Sequence, residues 1–288
     1  MYKLDCFLVS TDHLTERLWF RDDEDFKVGM NYVALVSLAL GIHVLAFILM
    51  SNHIHLVLAC SEEEALRFIT EYKRRYSKYY QKKYSVKEFL RRNGVDIRPV
   101  ATEEESLERA VAYVQMNSVA ANICSHPSFY PWGTGGAFFR ADAPKGTPLT
   151  SLSRREQIRI LHSNDPIPDS LRLSEEGYII PASFVAVKFV EQLFRQPSRY
   201  NFFLHNSSKA RLRLQEGPLP SFRDQSILAA VPDLCVSLFR KRTLGELSSE
   251  QTGELLKQLR FRFSADAAQL SRVLSISYEE VSRHLDSI

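Results

Sequence analysis

Apolar positions crowd the first sixty residues in runs whose spacing separates strand from helix. Tyr2 to Ser10 alternates imperfectly between apolar and polar residues, as a strand does, while Asp25 to Leu40 reads as a mostly buried helix. His43 to Met50 and His53 to Cys60 are β-branched and aromatic runs on either side of Ser51-Asn52, a turn signal, so the two predict a hairpin. Ser61 followed by Glu62, Glu63 and Glu64 marks a helix start, with a hydroxyl cap and acids at the positive end of the dipole. That helix should run to about Tyr84. Thr102-Glu103-Glu104-Glu105 has the form of a capping box and predicts a further helix, with Leu107, Val111, Val114 and Ala121 on its apolar stripe and its end near Ile123.

Beyond Trp132 the pattern changes. Gly133, Gly135 and Gly136, then Pro144 and Pro148, are linker composition, which predicts a domain spanning 1–140, a linker over 141–152 and a mostly helical region over 153–288. Helical stretches are expected around Arg154 to Leu161, Val185 to Phe194, Asp224 to Phe239 and Ser248 to Arg260, with loops at Pro166 to Pro168 and Pro218 to Pro220. Ala265 to Leu274 and Tyr278 to Leu285 flank Ser275-Ile276-Ser277. Ala268, Leu270, Val273, Leu274, Ile276, Val281 and Leu285 are the positions a helix-turn-helix would bury there, with Arg283 near the exposed side of its second helix; a plain helical hairpin fits equally well.

Composition narrows the class. At 288 residues the chain is long enough for one large domain or two modest ones, and Gly41-Ile42-His43 splits the apolar stretch Tyr32 to Met50 into halves too short to cross a bilayer. Four scattered cysteines without a C-x-x-C pair, and no leader-like N-terminal stretch, point to reduced thiols and a cytoplasmic protein. Between Lys73 and Arg98 ten basic residues face only Glu88 and Asp96, a footprint for a polyanion. Lys73, Arg74, Arg75, Lys78, Lys82 and Lys83 alternate there with Tyr72, Tyr76, Tyr79, Tyr80 and Tyr84. Such interleaving suits single-stranded or hairpin DNA, whose bases stack on aromatics; it equally suits a solvated amphipathic helix whose tyrosines face the core.

Two features carry chemistry. His53 and His55 share one face of their strand with about 7 Å between Cα atoms, close enough to converge on one ion. A lone H-x-H is common, but His55 lies in an otherwise apolar strand, where an imidazole must find a partner or cost stability. Tyr113 and Asn117, four apart, lie one above the other on the helix after Thr102, off the centre of its apolar stripe. By themselves they also suit a boundary aromatic and a turn cap.

Four segments in order, Met50-Ser51-Asn52-His53-Ile54-His55-Leu56-Val57-Leu58, Lys73-Arg74-Arg75-Tyr76-Ser77, Ala112-Tyr113-Val114-Gln115-Met116-Asn117-Ser118-Val119-Ala120-Ala121 and Phe129-Tyr130-Pro131-Trp132, resemble the REP-associated tyrosine transposases, single-tyrosine members of the HUH superfamily with an IS200-like transposase domain. The resemblance covers the chain to about residue 140. It implies a ferredoxin-like, RRM-like α/β sandwich with an antiparallel sheet and a transposase that cleaves and rejoins single-stranded or hairpin DNA through a 5′-phosphotyrosine. It further implies Tyr113 as nucleophile, His53, His55 and Asn117 as metal ligands, and Mg²⁺ or Mn²⁺ as the cofactor. The family usually has Pro where Ser51 and Ser118 stand and Gly where Asn122 stands, and nothing is carried over from Lys83 to Val100. A homodimer and a monomer both stay open, duplex DNA would engage the C-terminal region, and no membrane is expected. The rival reading is a DNA-binding regulator, derived from such an enzyme, that does not cut.

Overall fold

The strands flanking Ser51 and Asn52 pair as the apolar runs imply. In the computed structural model, which describes residues 5–101, 103, 105–142, 145–207 and 222–286, β2 (His43–Met50) and β3 (His53–Ala59) form an antiparallel hairpin closed at the Met50–His53 pair. β1 (Cys6–Thr11) pairs with the other side of β3, and β4 (Val95–Val100) with the other side of β1, so the antiparallel sheet runs β2-β3-β1-β4. Tyr2 to Leu4, where the first strand was expected to begin, lie outside the described residues. β4 lies in the tract to which the sequence reading gave no element; its Pro99 breaks the strand signal, and proline is tolerated on an edge, where no ladder donor is missed.

Helices cover both faces of this sheet. α1 (Asp23–Leu40) is capped by Asp22, whose side chain accepts from the Asp25 N–H, and stops at Gly41, which takes the left-handed conformation (φ 67°) that glycine adopts without strain. α2 (Glu62–Tyr84) opens on the capping box of Ser61 and Glu64. Their shared core holds Trp19, Tyr72 and Tyr76 at or near zero exposure, and Gly29 admits Phe20, Leu49 and Tyr72 so closely that a Cβ there would meet Phe20 at 2.5 Å. The opposite face, which carries His55 and Val57, is crossed by α3 (Ser106–Gln115). With both faces covered, every residue of β3 is buried, which is why that strand reads as a nearly unbroken apolar run.

The helix after residue 101 departs from expectation at both ends. Thr102, the expected cap, lies outside the described residues, and the helix begins at Ser106 behind Glu105, which is left-handed (φ 62°) and makes no side-chain cap. It does not run unbroken to Ile123. It yields at Met116 to a single turn, α4 (Asn117–Ala120), where the Asn117 side chain bonds back to Tyr113 and Val114 carbonyls and so competes with the helical ladder.

The chain beyond 140 does not at once leave the sheet. After two-residue strands β5 (Thr147–Pro148) and β6 (Arg172–Leu173), helices α5 (Arg154–Leu161), α6 (Val187–Phe194) and the unexpected α7 (Pro197–His205) follow. Leu149, Leu161, Leu171, Val190, Phe194 and Phe203 belong to the same buried cluster as the sheet. Trp132 to Thr134 lie along the outer edge of β2: Leu49 N–H donates to the Trp132 carbonyl at 2.8 Å and Thr134 N–H to that of Phe47 at 3.0 Å. A second, separate cluster is built from α8 (Asp224–Phe239), α9 (Ser249–Phe263), α10 (Ala267–Leu274) and α11 (Tyr278–Asp286), around Leu255, Leu259, Leu270 and Val281. The expected loop at Pro218 to Pro220, like Pro144, lies outside the described residues. Of the positions expected to be buried in the last two helices, Ala268 is exposed. Among the described residues no helix is long and apolar enough to cross a membrane.

Candidate active site

Antiparallel pairing sets Ser10 of β1 opposite His55 of β3, and the Ser10 hydroxyl lies 2.7 Å from His55 Nδ1. His53 begins the same strand, two residues earlier and therefore on the same face. Its Nδ1 lies 2.8 Å from Asn52 Oδ1, while the Asn52 amide nitrogen donates to the Leu14 carbonyl at 3.0 Å. That second bond fixes which end of the amide faces the ring. Oδ1 can only accept, so the neutral His53 imidazole carries its proton on Nδ1 and presents a lone pair at Nε2. The two rings are buried, their centroids 4.9 Å apart and their planes at 83°. A partner on Nδ1 that leaves Nε2 basic is what a metal-ligating histidine needs.

Tyr113 joins them from α3. Its ring stands edge-on to His55, 5.5 Å between centroids at 80°. The phenol is half-buried, and burial pushes its pKa above the ordinary tyrosine value; Arg98 pulls it down and Asp96 pushes it up, both from β4. Asn117, the fourth residue of the expected site, is buried, but its amide nitrogen donates to the carbonyls of Tyr113 at 2.9 Å and Val114 at 3.2 Å. The amide therefore lies along its own helix. The structure brings His53, His55 and Tyr113 together and holds Asn117 by its own backbone.

The sequence reading missed His13. This exposed residue, in the loop after β1, lies flat on His53 with centroids 3.7 Å apart and planes at 11°, and the three histidines offer nitrogens within 4.8 Å of one another. The three could therefore hold a metal ion together, with His13 also covering one face of His53 and with His53 and His55 almost perpendicular. Ser10 and Asn52 also escaped the sequence reading as site residues, and Arg98 entered it only as the end of the basic tract. Asn52, adjacent to His53, left a local trace in the turn.

The basic helix α2 is largely compensated from within. Lys73 Nζ donates to the Asn93 carbonyl, Arg74 pairs with Glu71 at 2.6 Å, and Arg75 pairs with Glu71 and Asp165. Lys83 bridges Asp22 and the fully buried Asp25, both at 2.7 Å, and Asp25 also accepts from the Tyr79 and Tyr84 hydroxyls. Of the two readings for the tyrosines, the structure takes the packed one for Tyr72, Tyr76 and Tyr80, which are buried. Lys78 and Lys82 are exposed and make no ion pair among the described residues. Arg283 is exposed on α11, whose first turn bears the exposed acids Glu279 and Glu280. Cavities of about 410 and 590 Å³ near Arg140 include neither histidine of β3 nor Tyr113.

No family model matches the chain, and no curated protein matches it. Among solved structures, one described as a REP-associated tyrosine transposase bound to a REP hairpin superposes on 45% of this chain and 76% of its own, with 9% sequence identity and a TM-score of 0.35. A likeness of that degree carries no argument about activity.

Proposed function

We propose that this chain is a DNA strand transferase in which Tyr113 is the nucleophile and His53 and His55 hold a divalent metal. The observation that carries the reading is the convergence of those three side chains, from two different elements, with both imidazoles oriented through Nδ1. The sheet order β2-β3-β1-β4 with two helices on one face supports the ferredoxin-like sandwich that the resemblance implies, with α3 added on the other face. The donor set fits a divalent ion through the two Nε2 atoms. Imidazole suits zinc, while Mg²⁺ or Mn²⁺ is what the resemblance implies, so the donors do not name the ion.

Bound there, the ion would draw charge from a phosphate oxygen. The protein groups do the rest. Tyr113 is protonated at neutral pH, since burial raises its pKa, and its oxygen must shed that proton as it attacks phosphorus. The P–O3′ bond breaks and the proton ends on the leaving 3′-oxygen, giving a 5′-phosphotyrosine and a 3′-hydroxyl. Reversal by a second 3′-end joins strands without an external energy source. Lys78 and Lys82 offer the least compensated charge for a single-stranded or hairpin substrate, ahead of Lys73, Arg74, Arg75 and Lys83, while the exposed acids beside Arg283 weigh against major-groove reading by a helix-turn-helix at α10–α11. Asn117 would ligate through Oδ1, which the Nδ2 bonds to the Tyr113 and Val114 carbonyls do not occupy.

The raised pKa of the Tyr113 phenol is the feature that favours the second reading, a DNA-binding regulator that does not cut. Trapping decides between them. A hairpin or single strand labelled at its 3′ end and incubated with Mn²⁺ should give a covalent adduct mapping to Tyr113, and Tyr113→Phe should abolish it. An adduct persisting in Tyr113→Phe overturns the assignment; retained DNA binding with no adduct in the wild type establishes the regulator.

A further inference from the structure

Asp224, the first residue of α8, is an ionisable group only 4% exposed. Its carboxylate gathers donors from two directions. From α10 come Gln269 Nε2 at 2.9 Å and Arg272 through Nε at 2.8 Å and Nη2 at 3.1 Å; from the turn between β2 and β3 comes the Ser51 hydroxyl. A buried carboxylate is tolerated only when its lone pairs are satisfied, so this one is comfortable only while the helical unit and the turn stay together. The neighbouring residues reinforce the junction: Gln225 Nε2 donates to the Phe20 carbonyl at 2.7 Å, and Arg223 meets Asp23 at 3.3 Å.

The turn is otherwise held by its backbone. The Ser51 carbonyl accepts from Trp19 and Phe20 N–H groups, and the Asn52 carbonyl from Leu14 N–H at 2.9 Å. Among the described residues the Ser51 hydroxyl is the side-chain tie from this turn to the helical unit, and the next residue, Asn52, decides where His53 carries its proton. Between the two parts lies a cavity of about 200 Å³, with His13 and His53 on one wall and Arg223 and Arg272 on the other.

We propose that Asp224 is a positioning residue for His53: by holding Ser51 it fixes the turn that orients Asn52, which makes the helical unit of residues 222–286 part of the metal site. This rests on the metal-binding reading above. The test uses the full chain with ¹⁵N-labelled histidine, the His53 resonances being assigned with His53→Gln, and Co²⁺ as the probe ion. In the wild type, long-range ¹H–¹⁵N spectra of the metal-free chain should show His53 as one tautomer, protonated on Nδ1. Ser51→Ala, the mild change, and Asp224→Ala, the severe one, should move both ring nitrogens toward the average of a tautomer mixture and weaken Co²⁺ binding about ten- to a hundred-fold, the range seen when a partner behind a ligand is lost. Ser51→Thr, which keeps the hydroxyl, should restore both. A wild-type tautomer and wild-type Co²⁺ affinity in a folded Ser51→Ala chain overturn the proposal, even if Asp224→Ala does not fold. Failure of the wild type to bind Co²⁺ would overturn the metal-binding reading instead, and the tautomer would still decide whether Asp224 positions His53.

Discussion

Replacing Lys83 by methionine separates a basic residue that builds the fold from one that meets DNA. The substitution keeps most of the aliphatic stem and removes the charge that faces Asp25, a carboxylate with no exposure. Stranding a buried charge costs about 3–5 kcal/mol in general. Here the loss is smaller, because Asp25 keeps the Tyr79 and Tyr84 hydroxyls and the Arg21 N–H, and because the Lys83 side chain is 26% exposed, so water can reach the gap. About 2 kcal/mol remains, which corresponds to a fall in Tm of about 4–8 °C for a unit of this size. Lys78→Met, at an exposed position, should change stability by no more than about 0.5 kcal/mol. The order reverses for DNA. With fluorescence anisotropy on a labelled single strand at several salt concentrations, Lys78→Met should reduce the slope of log K against log salt by about 0.7, one phosphate contact, while Lys83→Met leaves it unchanged. A Lys83→Met chain that melts with the wild type, or loses as much salt slope as Lys78→Met, refutes the division.

Two further outcomes follow from the packing. Bonding to Arg74 and Arg75 holds the Glu71 carboxyl down at about 2, so its contribution to stability is complete above the ordinary glutamate range and lost as pH falls from there to about 2; Glu71→Gln should flatten that part of the acid limb of a stability–pH curve measured by urea unfolding. Leu270→Ala, at a fully buried position of the second cluster, should cost about 2–5 kcal/mol and raise hydrogen exchange across α8 to α11, leaving β1–β3 protected; uniform loss of protection would show that the two clusters unfold as one.

Local signals in the sequence identified what local chemistry controls. The Ser51-Asn52 turn between two apolar runs, the Ser61–Glu64 box and the Asp224 to Phe239 helix all depend on neighbours within a few residues, and all stand where the pattern put them. The face shared by His53 and His55 follows from strand alternation alone. What stayed hidden was set by distant partners. Ser10 meets His55 across 45 residues of chain, Arg75 meets Asp165 across 90, and Ser51 meets Asp224 across 173, so the cluster of charge on α2 looked unpaired although much of its neutralising acid lies elsewhere. The break at Met116 was hidden for another reason: it depends on a single rotamer of Asn117, and a residue with that much choice does not declare it in the pattern. Ser51, where the resembled family has proline, reads as a loosened turn from sequence; in the folded chain its hydroxyl serves a bond proline could not make.

The two margins of the sheet are closed by different means. Along β2 the segment Trp132 to Thr134 occupies the ladder, and Gly133 approaches so closely that a Cβ would meet the Phe47 carbonyl at 2.7 Å. Along β4 the edge strand itself carries the charged pair Asp96 and Arg98, on the face toward Tyr113, followed by Pro99. A strand-rich protein with a bare margin recruits copies of itself and precipitates when concentrated. This one meets a stray strand with an occupied ladder on one side and with charge and a missing donor on the other, so crowding should leave it dispersed.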